Sequence, residues 1–196
     1  MPTSFTKTDT LLHDKIYFIK LFFSVGLFIC SGLVSSYLYY QFQEKGGVFF
    51  PGLLYTSTTI IIFVLTKKTF TAKAILTYYL LMNLTYLAIW LLTMLSSWFA
   101  FLGGIVTAGA GAIMTFILVD KFIAKIKFNK VNLFIIGGLS FLIIDILYFT
   151  FSNSFEKTPI EYIFKVENSP NTLFLEVFVF WHTLVGTKLF LTLNKV

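Results

Sequence analysis

Arginine is missing altogether, since all fifteen basic residues are lysine. That removes the planar bidentate donor that reads carboxylate, phosphate and guanine, so direct nucleic-acid binding is not expected. Cysteine is reduced to Cys30, which excludes an internal disulfide and a cysteine metal cluster. Charge is scarce at 12% of residues, where an average soluble domain carries roughly a quarter. No paired histidines, carboxylate cluster or glycine-rich phosphate loop occurs, so neither a metal nor a cofactor is expected.

What the sequence has instead is apolar length. Hydrophobic residues make up 57% of the 196 positions, and they fall in runs of about twenty, the thickness of a bilayer's hydrocarbon core in helical rise. The expected fold is all-α, a bundle of six transmembrane helices in one membrane domain, over 16–40, 48–66, 74–96, 98–119, 131–151 and 172–193. The third and fourth runs nearly touch, and about 45 continuous residues are too long for one crossing, so a tight helical hairpin is expected there. The polar stretch 1–15 precedes a run without a small-residue cleavage site, which predicts a retained first span.

Lysine placement predicts orientation. Twelve lysines fall on the side holding the N-terminal stretch, the second and fourth connections and the C-terminal tail, against Lys45, Lys157 and Lys165 on the other. Basic connections stay cytoplasmic, so both termini are expected inside, in a bacterial-type inner membrane. Tyr37, Tyr39, Tyr40 and Trp98 at the outer boundary, with Tyr17, Tyr78 and Tyr79 near the inner one, fit the same layout. In the outer connection 152–171, Thr158 and Pro159 open a short interfacial helix over 159–166, which Asn168, Ser169 and Pro170 would end.

Two groups of residues are candidates for a role. In the fourth span Gly104, Ala108 and Ala112 recur every four residues, beside Gly103, Thr107, Gly111 and Thr115. Small residues at that interval let helix backbones approach closely, within the bundle or between subunits. Ser31 with Ser35 and Gly32 with Ser36 repeat the pattern in the first span, and Gly137 with Gly138 do so in the fifth. The second group is polar. Asp145, Glu176 and His182 are ionisable residues at membrane depth, where charge is costly and is usually functional or paired. From span centres at 1.5 Å per residue, His182 and Asn83 fall near the midplane, Asp145 about 5–6 Å outward and Glu176 about 10 Å outward. If the fifth and sixth spans are neighbours, Asp145 reaches His182. The cluster reads either as an ion or ligand site or as a hydrogen-bonded tie between helices.

Thr56, Ser57, Thr58 and Thr59 form a hydroxyl patch beyond Pro51 in the second span; such hydroxyls line a pore or, more often, bond back to their own helix. Lys20 and Lys188 lie near enough to the inner ends to snorkel, and His13 lies in the polar tail.

Gly138, Leu139 and Ser140, with His182 and Gly186, resemble the serine and histidine motifs of the rhomboid intramembrane proteases, which also have six spans and cytoplasmic ends. The resemblance implies a serine–histidine pair. The sequence departs from it on both counts, with the serine mid-membrane in the fifth span and the histidine–glycine spacing one residue too long. Exosortase-type transpeptidases and arginine–histidine nucleases need the residue this chain lacks. Catalysis is therefore not expected.

The expected role is a non-catalytic accessory, regulatory or effector component that works through self-association or a membrane or cytosolic protein partner, with the lipid bilayer as its solvent. Its expected setting is a prokaryotic defence or toxin-type system, which no particular residue carries. The alternative is a small transporter, channel or membrane-embedded ligand-binding subunit using the polar cluster. The chain resembles the substrate-binding components of vitamin uptake transporters in length alone.

Overall fold

Each of the six apolar runs forms a helix, and local chemistry sets the ends. The computed structural model describes residues 7–42, 45–66, 68–95, 101–151 and 173–195, with side chains for all of these but 7–14, 101, 144, 145, 147–151 and 173–176. Among them are α1 (Lys7–Gln41), α2 (Phe49–Leu65), α3 (Ala72–Leu95), α4 (Phe101–Phe122), α5 (Lys130–Phe151) and α6 (Leu173–Leu193), and no strand.

Helix α1 starts nine residues before the expected 16 because nothing stops it: no glycine or proline lies between Lys7 and Lys20, and Asp9 in the first turn suits the positive end of the helix dipole. The fourth helix runs three residues past the expected end at 119, and its expected start at 98 lies outside the described residues. The other four agree with expectation to within two residues at each end. Trp98 and the expected interfacial helix at 159–166 lie outside the described residues.

Side-chain caps fix two starts. Thr71 Oγ1 accepts from Ala74 N at 3.2 Å ahead of α3, and Asn129 Oδ1 accepts from Val131 N at 2.9 Å and Asn132 N at 3.2 Å ahead of α5. Each satisfies backbone donors that a helix leaves open at its start. Pro51 is tolerated in the first turn of α2, where its missing N–H has no partner to lose. Between α1 and α2 the chain turns through Gly46, at φ 88°, a conformation that side chains disfavour.

The helices pack in chain order, α1 on α2, α2 on α3, α3 on α4, α4 on α5 and α5 on α6, and α6 returns to α1, closing a ring. Side-chain contacts give the directions. On α1, Lys20 meets Leu65 while Phe28 meets Tyr55; on α3, Tyr78 meets Thr59 and Tyr86 meets Tyr55. Thr93 meets Thr107 while Ile89 lies beside Gly111, and Phe116 meets Phe128 while Gly104 faces Phe141. Gly32 faces Val179 and Phe28 faces Gly186. All five of these pairs run antiparallel, so the start of α1 and the end of α6 share one end of the bundle, with the α2–α3 and α4–α5 connections.

Glycine permits two of the closest approaches. A Cβ on Gly32 would stand 2.5 Å from Val179 Cα, and one on Gly137 would stand 2.4 Å from the Ala108 carbonyl oxygen. Both obstacles are backbone, which cannot swing aside. The small residues of α4 are therefore used inside the bundle: Gly104 lies under the Phe141 ring, Ala108 and Ala112 lie against Gly137, and Gly111 lies beside Trp181 and Ile89. Gly103 is buried, its carbonyl accepting from Thr107 at 2.8 Å.

The core is apolar around Phe28, Tyr55 and Phe116, but polar groups join it and the exterior is inverted relative to a protein folded in water. Ser24, Ser35, Ser36, Thr56, Thr59, Thr115, Ser140 and His182 are buried, while Phe22 is 75% exposed, Ile19 68% and Leu84 61%. A soluble monomer rarely shows so continuous an apolar exterior. Three helical segments, Lys15–Gln41, Ala72–Leu95 and Leu102–Phe122, are long and apolar enough to cross a membrane. Helix α2, at 17 residues, and the described parts of α5 and α6, Lys130–Ile143 and Val177–Leu193, are apolar but shorter.

Candidate functional site

The ring of helices is tied across its middle by one side chain. His182 on α6 is fully buried, with Ser31 Oγ of α1 at 3.1 Å from Nδ1 and Tyr86 OH of α3 at 2.8 Å from Nε2. A neutral imidazole has one donor and one acceptor nitrogen. Either Ser31 donates to Nδ1 while Nε2–H donates to Tyr86, or Tyr86 donates to Nε2 while Nδ1–H donates to Ser31; both tautomers satisfy the ring. Three helices that are not all neighbours are thus joined through a single residue. Aromatic rings enclose it, with Tyr55 at 4.9 Å between centroids, Tyr86 at 6.0 Å, Trp181 at 6.1 Å and Phe178 at 6.4 Å.

Both ring nitrogens have a hydroxyl within hydrogen-bonding distance. Helices α5 and α6 are neighbours, as the expected meeting of Asp145 with His182 required, but the side chains of Asp145 and Glu176 lie outside the described residues. Asn83 stands apart from the histidine: its Nδ2 donates to its own helix at Tyr79 O, 2.8 Å, and its Oδ1 lies beside Gly52 of α2. One turn further along α3, Tyr86 makes the contact that Asn83 does not. Sequence reasoning missed Tyr86 and Ser31. The first carried a signal, as it shares a face with the midplane Asn83 at i+3, and the second lay in the small-residue row of α1.

Serine 140 does not approach the histidine. Its hydroxyl donates to Gly137 O of its own helix at 2.5 Å, so the serine beside His182 is Ser31, on a different helix from the one the protease motif would use. The hydroxyl patch of α2 likewise bonds back along its helix, Thr56 to Gly52 O at 2.7 Å and Ser57 to Leu53 O at 2.8 Å. Thr59 also meets Tyr78 OH at 3.0 Å, which ties α2 to α3. Lys20 Nζ, expected to snorkel, donates to Leu65 O at 3.1 Å at the end of α2.

Beside the histidine, on the side away from the chain termini, lies a cavity of about 70 Å³ between α3, α4 and α6. Its walls include Tyr86, Ile89 and Trp90 of α3, Ala108 and Gly111 of α4, and Trp181 of α6. Trp181 Nε1 donates to Ala108 O at 3.0 Å, which holds that indole as a fixed wall. Tyr86 is shared: its ring lines the cavity while its hydroxyl holds His182. Ser31 and His182 do not line it. Among the described residues no group of three or more metal-ligating side chains comes together.

No family model, curated protein or solved structure matches this chain.

Proposed function

We propose that this chain is a multi-pass inner-membrane protein whose six helices all cross, with both termini cytoplasmic, and that it acts without catalysis as a regulatory component binding a small apolar ligand inside the bundle. The observation that carries the reading is Tyr86, which is at once a wall of the cavity and the partner of His182. A ligand that presses on the Tyr86 ring acts on the hydrogen-bonded link that joins α1, α3 and α6. Occupancy is thereby coupled to helix arrangement, which a partner can read. The twelve-to-three division of lysines supports the orientation, and the inverted exterior supports immersion in lipid.

Ser31 and His182 are at hydrogen-bonding distance, as a nucleophile and base would be. Their burial, and their absence from the cavity wall, favour a structural link over chemistry, because a substrate bond would have to reach both.

The test is thermal unfolding of the full chain in nanodiscs under pressurised xenon or cyclopropane, apolar ligands small enough for a cavity of about 70 Å³. A ligand held at 100 times its Kd stabilises by about 2.7 kcal/mol, so a clear rise in unfolding temperature is expected. Gly111→Leu, which fills the space beside Trp181 and Ile89, abolishes it. Gly111→Ala, whose Cβ would meet Trp181 at an ordinary 3.4 Å, keeps the fold and part of the effect. Equal responses from wild type and Gly111→Leu would refute the reading.

A further inference from the structure

The connection between α4 and α5, residues 123–129, is neither helix nor strand, yet it is held in place. Ile123 N and Ala124 N donate to Val119 O at 2.9 and 3.0 Å, closing the end of α4, and Asp120 Oδ1 accepts from Ile126 N at 2.9 Å. Ile123 and Ile126 are buried, the Phe128 ring packs on Phe116 at 5.7 Å between centroids, and Asn129 caps α5. From Lys125 to Phe128 the residues run exposed, buried, exposed, half-buried, the period of two of an extended chain. Lys125 and Lys127 therefore stand on the outward side about 7 Å apart, flanked by exposed Lys121 and Lys130.

Lysines fixed on one strap repel one another, and little on the protein answers them. Asp120 is the only acid among the residues with described side chains. Its contact with the exposed Lys125 is 3.7 Å, and an ion pair in that setting is worth little. Depth and chemistry decide what the strap fits. Ile123, Ile126 and Phe128 are seated between the end of α4 and the start of α5, so the ammonium groups stay level with the helix ends, where lipid phosphates lie in a membrane. Lysine offers a point charge without the bidentate fork that grips an individual carboxylate, and a row of point charges suits a field of phosphodiesters. We propose that this strap is a preset binding surface for anionic phospholipid headgroups and that Asp120 is its positioning residue. An acid thus strengthens attraction for anions, by holding the backbone on which the lysines stand. The cavity plays no part in this, and the reading above enters only through immersion in lipid.

The test is native mass spectrometry of the full chain from neutral detergent micelles, titrated with phosphatidylglycerol or with phosphatidylcholine of the same acyl chains. The readout is the ratio of the two dissociation constants. Wild type is expected to favour phosphatidylglycerol, and K125Q/K127Q/K130Q to lose most of that preference, up to about fivefold per lysine, the equivalent of about 1 kcal/mol. K15Q/K73Q/K195Q makes the same change of charge at exposed positions of the same end but off the strap, and is expected to lose much less. Asp120→Asn removes the negative charge and keeps an acceptor for Ile126 N, so the preference holds or rises. Asp120→Ala raises the net charge equally but frees the strap, so the preference falls. If Asp120→Ala strengthens binding as Asp120→Asn does, or the two triple variants lose preference alike, the lysines act through net charge alone and the strap assignment is overturned. Equal binding of both lipids by wild type overturns it as well and leaves immersion standing, since uptake of phosphatidylcholine reports that separately. If a hexaglutamate peptide binds wild type but not K125Q/K127Q/K130Q while phosphatidylglycerol shows no preference, the surface belongs to an acidic protein segment and the lipid assignment falls.

Discussion

Replacing His182 removes the residue that, among the described residues, joins α1, α3 and α6 by hydrogen bonds, and the loss can be sized. Interhelical hydrogen bonds inside membranes average about 0.6 kcal/mol, with a maximum near 1.7, so the bonds to Ser31 and Tyr86 together are worth about 1–2 kcal/mol. His182→Ala also empties on the order of 60 Å³ in a fully buried site, which at about 24 cal/mol per Å³ adds roughly 1.5 kcal/mol. The total is about 3 kcal/mol. Tyr86→Phe keeps the ring and its packing, so its expected cost is about 1 kcal/mol, and Ser31→Ala is expected to cost a similar amount. The assay is reversible unfolding of the full chain in mixed micelles, read by tryptophan fluorescence. A double-mutant cycle sharpens it: with His182 removed, Tyr86→Phe should cost almost nothing, giving a coupling of about 0.5–1.5 kcal/mol. A His182→Ala protein within about 0.5 kcal/mol of wild type, or strictly additive single costs, would refute the claim that this residue is the link.

Four further outcomes follow from the geometry. Gly137→Ala forces a methyl toward the Ala108 carbonyl and should destabilise by about 1–3 kcal/mol, while Gly26→Ala, with nothing within 4 Å of its Cβ, should be neutral or gain up to about 1 kcal/mol; unfolding midpoints of the pair check both. Trp181→Phe loses the bond to Ala108 O and should cost about 0.6–1.7 kcal/mol in the same assay. Asp120→Ala removes the acceptor for Ile126 N at 2.9 Å and should cost about 1 kcal/mol, whereas Lys125→Ala, whose side chain is 86% exposed and 3.7 Å from Asp120, should leave the midpoint unchanged. With Cys30→Ser as background, single cysteines at Lys127 and Lys195 should react with an impermeant thiol reagent from the cytoplasmic face and one at Lys45 from the opposite face; labelling of Lys127 and Lys195 from different faces would overturn the orientation.

Much of the scaffold was legible because it depends on periodic, local properties. Runs of about twenty apolar residues need helix to satisfy their backbone in lipid, and the lysine-bearing stretches between them mark where the helices stop. Thr71 and Asn129 act within three residues of their own positions, so a cap could be located without knowing any neighbour. The start of α1 was less legible, because the polar stretch before Lys15 has no stop signal and the apolar pattern alone cannot see a helix continuing out of it.

The candidate site was half legible. His182 was marked by being an ionisable residue deep in an apolar run, and depth along a helix can be counted from sequence. Its partners could not be counted, because they depend on which faces of α1 and α3 turn inward. Asn83 and Tyr86 share a face of α3, and only the packing of α3 against Gly52 of α2 decides that the amide stays on its own helix while the phenol reaches the histidine.

The sequence by itself determined that this is a helical chain with an apolar exterior, and that the small residues of α4 were there to bring backbones together. Both follow from spacing along one helix. Tertiary structure alone decided that Gly104, Ala108 and Ala112 meet α5 while Gly111 meets α3 and α6, that Ser31 rather than Ser140 meets the histidine, and that a cavity opens beside it. Each is set by rotation of one helix about its axis relative to another, a quantity fixed by packing among residues of different helices, up to 151 positions apart, and not written in the order of neighbours along the chain.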